Sequence, residues 1–244
     1  MTSVQRLDES GTKLTRGEKY FEFRHLTRLT VLVAAICIGL ILFVDRPVAL
    51  YMSQLIDGHT FRIWDAITKI GVASPYFIVF ISIFLGARFM FVRTAPMPIA
   101  GWYATIARTA LFGLVCSVIA GITVNLLKFV IGRARPRLFL TEGDYGFFPM
   151  NAEWAFNSFP SGHAQTVFTV ATIVALAIPR TRYLCFFVAT LVALSRVMIS
   201  VHFVSDIVFG SFLGIGIVLL LKRCAYSDLE TLSLEKYQTT GKQN

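Results

Sequence analysis

Three short polar stretches interrupt an otherwise oily chain, and each carries side chains that bind or attack phosphate. The first is basic and runs from Lys128 to Phe139 (KFVIGRARPRLF). Lys128 and Arg135 are nearly two helical turns apart, which predicts a shared face at the end of an apolar helix that Pro136 then stops. Arginine offers a planar fork matched to phosphate oxygens, and lysine a compact point charge. Taken alone, with Arg133 and Arg137 beside them, the run reads more readily as basic side chains snorkelling to a membrane surface.

The second stretch is Pro160-Ser161-Gly162-His163, at the start of an apolar block. It predicts a helix N-terminus, where free backbone N–H groups favour an anion. Gly162 lets the backbone approach a phosphate, Ser161 can donate a hydroxyl hydrogen bond, and His163 is placed to move a proton. The bland alternative makes Ser161 a plain N-cap and His163 a polar helix end. The third stretch holds Ser195-Arg196, His202 and Asp206. A four-residue spacing stacks His202 and Asp206 on one face if both are helical. A carboxylate at one ring nitrogen fixes the tautomer and frees the other as a nucleophile. The alternative is a helix-end ion pair, but a carboxylate so close to an apolar segment is costly and points to function. Together the stretches supply three cations, a helix N-terminus, two histidines and one orienting carboxylate. That inventory suits in-line phosphoryl transfer through a covalent intermediate, with His202 attacking and His163 protonating the leaving oxygen.

These motifs resemble the three signatures of the type 2 phosphatidic acid phosphatase (PAP2) family of integral membrane lipid phosphatases, which share a site plan with vanadium haloperoxidases. The family pattern is Lys, six residues, Arg-Pro; then Pro-Ser-Gly-His; then Ser-Arg, five residues, His, three residues, Asp. Every position is matched here. The resemblance implies that Lys128, Arg135 and Arg196 bind phosphate with Ser161 and Gly162. It implies that His163 is the general acid, His202 the nucleophile that becomes phosphohistidine, and Asp206 its partner. It further implies no metal and no cofactor, and an all-α fold with an acid phosphatase/haloperoxidase-like core.

The elements that position these residues follow from composition. Of 244 residues, 55% are hydrophobic and 15% charged, with a mean hydropathy of +0.66; soluble domains carry about a quarter charged residues. The apolar residues fall in long blocks, which predicts a polytopic helix bundle. Six transmembrane spans are expected, near 29–44, 76–92, 106–131, 161–178, 183–195 and 202–221. Residues 48–72 carry too many charges for a span and read as an interfacial helix pair. Polar cytoplasmic tails are expected over 1–28 and 224–244, around a membrane domain of 29–223, with no cleavable signal at the start. Basic residues at Arg88, Arg93, Arg108, Arg180, Arg182, Lys222 and Arg223 put both termini in the cytoplasm. All three polar stretches then fall on the outer face, which in a bacterial inner membrane is the periplasmic face. The net charge of +9 is accounted for by lipid headgroups, and no nucleic-acid partner is implied. Cys37, Cys116, Cys185 and Cys224 have no ligand spacing and read as packing thiols.

The expected substrate is therefore a lipid phosphate in the bilayer: lipid A, undecaprenyl pyrophosphate, phosphatidylglycerol phosphate or phosphatidic acid. The aromatic segment 138–157 is placed to shape its headgroup pocket, or to serve as an interfacial belt. Its arginine-rich entry and the chain length resemble bacterial lipid A phosphatases. A phosphotransferase using the same phosphohistidine fits the motifs as well. A transporter fits less, because its polar groups would lie at mid-membrane in related halves. The motifs do not speak to oligomeric state.

Overall fold

The computed structural model describes residues 16–95 and 97–225. Most of the expected tails, 1–15 and 226–244, lies outside them. The chain is already helical from Arg16, and α1 (Arg16–Phe43) leads to α2 (Asp45–Leu55) through a bend of 57°. Asp45-Arg46-Pro47, directly after the end of α1, opens α2, where a proline in the first turn is tolerated. Over 48–72, expected as an interfacial helix pair, the chain forms α2 and α3 (Gly58–Thr68), and α3 is part of the apolar stretch Gly58–Thr94, which is long enough to span. The side chain of Asp57 caps α3 by accepting the Thr60 N–H at 2.8 Å. A tight 3-10 turn, Lys69–Gly71, then leads into α4 (Ala73–Thr94).

The long helix α5 (Ala100–Ile131) stops at Gly132, which is left-handed with φ of 58°. A side chain at Gly132 would also run into the Phe148 carbonyl. Pro136, expected to end helix, takes the first-turn position of the short α6 (Pro136–Glu142), where its missing N–H costs nothing. Three more helices complete the chain: α7 (Gly162–Ala177), α8 (Arg182–Met198) and α9 (Val204–Ala225).

Helix α7 is the hub. It packs against α5, α8 and α9, while α4 lies along α5, α1 along α9 and α3 along α8. Glycines let α9 come close: a Cβ at Gly210 or Gly214 would sit 2.5 Å from the carbonyls of Ser161 and Gln165 on α7. The core joins Phe80, Phe112, Cys116, Ile173 and Val218 from four helices. Large apolar side chains such as Ile78, Leu85, Val92, Ile122, Leu126, Leu184 and Phe187 point outward and stay exposed, as in a protein whose solvent is lipid. The fold is all-α among the described residues, apart from one isolated bridge between Arg133 and Phe147.

The six-span expectation needs correction. Among the described residues, four helical stretches are long and apolar enough to cross a bilayer, five if the bent α1–α2 pair is one span. Helix α7 has 16 residues, about 24 Å at 1.5 Å per residue, against a hydrocarbon core of about 30 Å. Hydropathy marks α7 as buried in apolar surroundings, but part of those surroundings is the rest of the bundle. The protein is a multi-span membrane protein with a short central helix.

Candidate active site

Chain direction gathers the three polar stretches at one end of the bundle. Helix α5 ends there, α7 begins there, and α8 and α9 meet there. The local geometry differs from simple helical stacking in two places. Helix α5 ends before Arg135, which is extended, so Lys128 and Arg135 do not share a helix face. A loop carbonyl joins them instead. Asn157 C=O accepts from Lys128 Nζ at 2.7 Å and from Arg135 Nη2 at 3.1 Å. Arg135 is fixed further by the Trp154 carbonyl at 2.8 Å and lies 3.8 Å above the Trp154 ring centroid. Its Nη1 donates to Val201 C=O at 3.3 Å, which brings it next to His202.

His202 and Asp206 do not stack on one helix either. Helix α9 begins at Val204, so His202 sits in the preceding turn. That turn is folded back onto α8 because the N–H groups of Val201 and His202 both donate to Arg196 C=O, at 3.0 and 3.1 Å. Asp206, in the first turn of α9, accepts the Phe203 N–H at 2.8 Å, the acidic half of a capping box. His202 Nδ1 faces Asp206 Oδ2 at 3.5 Å, too long for a good hydrogen bond. The ring is 2% exposed. Burial pushes its pKa well below the usual value; Lys128 and Arg135 add to that, and Asp206 opposes it. The ring is therefore neutral at physiological pH, with a nitrogen lone pair available for attack.

Ser161 N-caps α7, its Oγ accepting the Ala164 N–H at 3.4 Å, while its own N–H donates to Asp206 C=O at 3.0 Å. Gly162 and His163 supply the first N–H groups of α7, which have no acceptor within the helix. A Cβ on Gly162 would lie 3.9 Å from Lys128 Cε, so the lysine stem passes directly over this N-terminus. Arg196 is 9% exposed and donates from Nη1 to Thr68 Oγ1 at 2.7 Å. Arg135 feels Arg196: burial first, then repulsion from Arg196, lowers its pKa to about 10, which still leaves it a cation at neutral pH. The predicted residues thus meet at one pole of the bundle. A cavity of about 240 Å³ opens there between α4, α5 and α7, with Lys128, Gly162 and His163 in its wall. It continues along the α5 face carrying Asn125, Gly121 and Ser117.

Four neighbours of the site escaped sequence reasoning. Thr68 and Gly71, from the α3 end and the turn after it, wall the site beside Arg196 and His163. Asp45 and Arg133 form a buried ion pair behind His202. Arg133, 1% exposed, donates from Nη1 to Asp206 Oδ1 and from Nη2 to Asp45 Oδ2 at 2.8 Å. Burial alone would lower the Arg133 pKa, but the two carboxylates outweigh it and raise it. The only sequence signal was the presence of a second arginine, Arg133, inside KFVIGRARP. No group of three or more His, Cys, Asp or Glu with metal-site geometry occurs among the described residues.

Residues 109–229 match the PAP2 superfamily model. The chain is 30% identical to the lipid A 1-phosphatase of Rhizobium johnstonii over 202 residues, covering 80% of each chain. It is also 30% identical to that of Rhizobium etli, covering 80% of this chain and 84% of the relative. Among solved structures, a transmembrane PAP2 type phosphatidylglycerolphosphate phosphatase from Bacillus subtilis superposes with a TM-score of 0.54 at 19% identity, covering 81% of this chain and 94% of that one. Aquifex aeolicus LpxE superposes with a TM-score of 0.52 at 18% identity, covering 73% and 94%. At such identities the superpositions speak for the fold alone.

Proposed function

The chain belongs to the PAP2 superfamily and is a membrane lipid phosphatase; on that premise we propose that it hydrolyses the 1-phosphate of lipid A through a phosphohistidine. One observation carries the mechanistic reading. Arg196 Nε and His202 Nδ1 are buried side-chain nitrogens without a hydrogen-bond partner among the described residues. An unmet buried donor costs about 1–3 kcal/mol, which a phosphate oxygen at Arg196 Nε would recover. Lys128 and Arg135 spend their donors on loop carbonyls and can turn to the same anion.

In this reading His202 Nε2 attacks phosphorus in line. The bond from phosphorus to the lipid oxygen breaks, and His163 gives that oxygen a proton. The ring's Nδ1–H tightens onto the fixed Asp206 carboxylate as the ring gains positive charge. Water then attacks the phosphohistidine, His163 takes its proton, the nitrogen–phosphorus bond breaks, and phosphate leaves. Arg135, Arg196, Lys128, Ser161 and the α7 N-terminus stabilise the equatorial oxygens throughout. No metal enters these steps. The cavity along α5 is the place for the lipid side of the scissile bond.

The same reading sets the site on the periplasmic face of the inner membrane, with both termini cytoplasmic. Support comes from the helix ends remote from the site, which hold Arg93, Arg180, Arg182, Lys222 and Arg223. Phosphate release from lipid A, undecaprenyl pyrophosphate, phosphatidylglycerol phosphate and phosphatidic acid, assayed in detergent with EDTA, tests the proposal. Lipid A is expected to be the best substrate, and His202→Ala and His163→Ala to be inactive. Activity surviving His202→Ala would remove the phosphohistidine. Loss of lipid phosphate without free phosphate would mean transfer to an acceptor.

A further inference from the structure

We infer that Asp45 and Arg133 are positioning residues that set the net charge and orientation of the carboxylate behind the nucleophilic histidine. The inference rests on His202 being the nucleophile. Its basis is a closed hydrogen-bond network in which each member has more than one partner. Arg133 Nη1 donates to Asp206 Oδ1 and, at 2.6 Å, to Ser205 Oγ. Arg133 Nη2 donates to Asp45 Oδ2 at 2.8 Å and to Tyr145 Oη at 3.2 Å. Asp45 Oδ1 accepts the Ser205 N–H at 3.0 Å, and Oδ2 also accepts the Ser205 hydroxyl. Both Asp45 oxygens therefore only accept, the pattern of a carboxylate. Ser205 immediately precedes Asp206, so Asp45 grips the same helical turn that presents Asp206 to the ring.

The network is dry as well as closed. Asp45 and Arg133 are each 1% exposed, and Asp206 is 0% exposed. The cleft bounded by Asp45, Pro136, His202 and Phe203 has no room for a water molecule. The guanidinium also lies 4.3 Å from the Phe203 ring centroid. Burying three charged groups is an expensive way to hold two helices and a loop together, and apolar packing does that as well or better. The arrangement makes sense if charge is what the site needs.

The sum of charges gives Asp45 its role. Arg133 with Asp206 alone would be neutral. Asp45 leaves one net negative charge behind His202, on the side away from the phosphate. In front of the ring stand Lys128 from α5 and Arg135 from the loop, and around those two cations gather Arg196 from α8 and the imidazole of His163 from α7. When His202 Nε2 bonds to phosphorus, its ring becomes cationic, and that net negative charge stabilises it. Arg133, shared between two carboxylates, keeps Asp206 ionised and fixes which oxygen faces Nδ1.

Asp45→Asn is the direct test, because it keeps size and acceptor while removing the charge. It should lower kcat by about tenfold or more while KM stays within about twofold, since Asp45 meets no substrate. The acid limb of the pH–rate profile should move to lower pH, because His202 loses a nearby negative charge. Asp45→Glu should recover part of kcat. Arg133→Gln, whose two carboxylates lose their counter-charge, should move the same limb to higher pH if it folds. His202→Ala is run beside them: an active His202→Ala enzyme overturns the phosphohistidine reading itself. With His202→Ala inactive, an Asp45→Asn enzyme with wild-type kcat overturns the inference. So does one whose loss of kcat only follows a lower melting temperature, with the acid limb unmoved.

Discussion

Gly71 lies against the imidazole of His163 so closely that a Cβ there would come within 2.6 Å of the ring's Cδ2. The two residues come from different parts of the bundle, the turn after α3 and the first turn of α7. A residue with any side chain at this point must push the ring away from its place beside Lys128 and the cavity. Gly71→Ala is therefore expected to lower kcat by about a hundredfold, the cost of misplacing a reacting group by about 1 Å. KM should change little, because the cations assigned to phosphate in the proposed mechanism are untouched. Steady-state kinetics on the preferred lipid phosphate decide the matter, and an unaltered kcat would show that His163 needs no such wall.

Asp206 holds its other partners more tightly than it holds His202. Ser158 Oγ, the Phe203 N–H and Arg133 Nη1 all bond to it. The contact to the His202 ring stays at 3.5 Å. A carboxylate anchored on three sides can orient the ring without moving. Asp206→Asn should cost about 10³–10⁴-fold in kcat, as when a His-orienting carboxylate is replaced by an amide in other enzymes. Some activity should survive, because His202, the proposed nucleophile, remains and Arg133 still has Asp45. Complete inactivity with an intact fold would mean that Asp206 does more than orient, and wild-type turnover would mean that it does less.

Much of this was legible in the sequence, for a physical reason. Phosphate chemistry demands particular residue types at fixed local spacings, so Lys128, Arg135, Ser161, Gly162, His163, Arg196, His202 and Asp206 stood out. Hydropathy likewise marked the apolar segments, though it could not say that α7 is too short to span. The remainder depends on distant pairing. Arg133 meets Asp45 across 88 residues and Asp206 across 73, and Arg196 meets Thr68 across 128. No local pattern encodes such contacts, and a buried arginine in a basic run has the same letters as a snorkelling one. The four-residue spacing of His202 and Asp206 fitted a helix, but the same spacing serves a turn entering one, with Asp206 capping it.

The buried neutral state of His202 should appear in the pH dependence of stability. Unfolded, a histidine takes up a proton near pH 6.5. Folded, the ring resists protonation to well below that value. Between the two values the unfolded chain binds more protons, so stability rises with pH. It is fully present above about pH 6.5 and is lost as the pH falls below it. The apparent melting temperature in detergent should therefore drop between about pH 6.5 and 5, and His202→Asn should drop less steeply. Parallel wild-type and variant curves would show that the ring protonates as easily folded as unfolded.

The cavity beside His163 makes the last prediction, because it can be filled without touching any group assigned to chemistry. Gly121 lines it from α5, and a Cβ there would meet nothing within 4 Å. Leucine is also a better helix former than glycine, so Gly121→Leu should fold at least as well as the wild type. The added side chain occupies space assigned to the lipid side of the scissile bond. It leaves Lys128, Arg135, Arg196 and both histidines in place. Hydrolysis of a lipid phosphate should fall by at least about tenfold in kcat/KM, a loss of about 1.4 kcal/mol of transition-state binding. Hydrolysis of a small soluble aryl phosphate, which has no chain to accommodate, should not fall with it. The ratio of the two rates is the informative quantity. If both substrates slow together, the leucine has disturbed the catalytic end. If neither slows, the lipid enters elsewhere and the cavity is not its path.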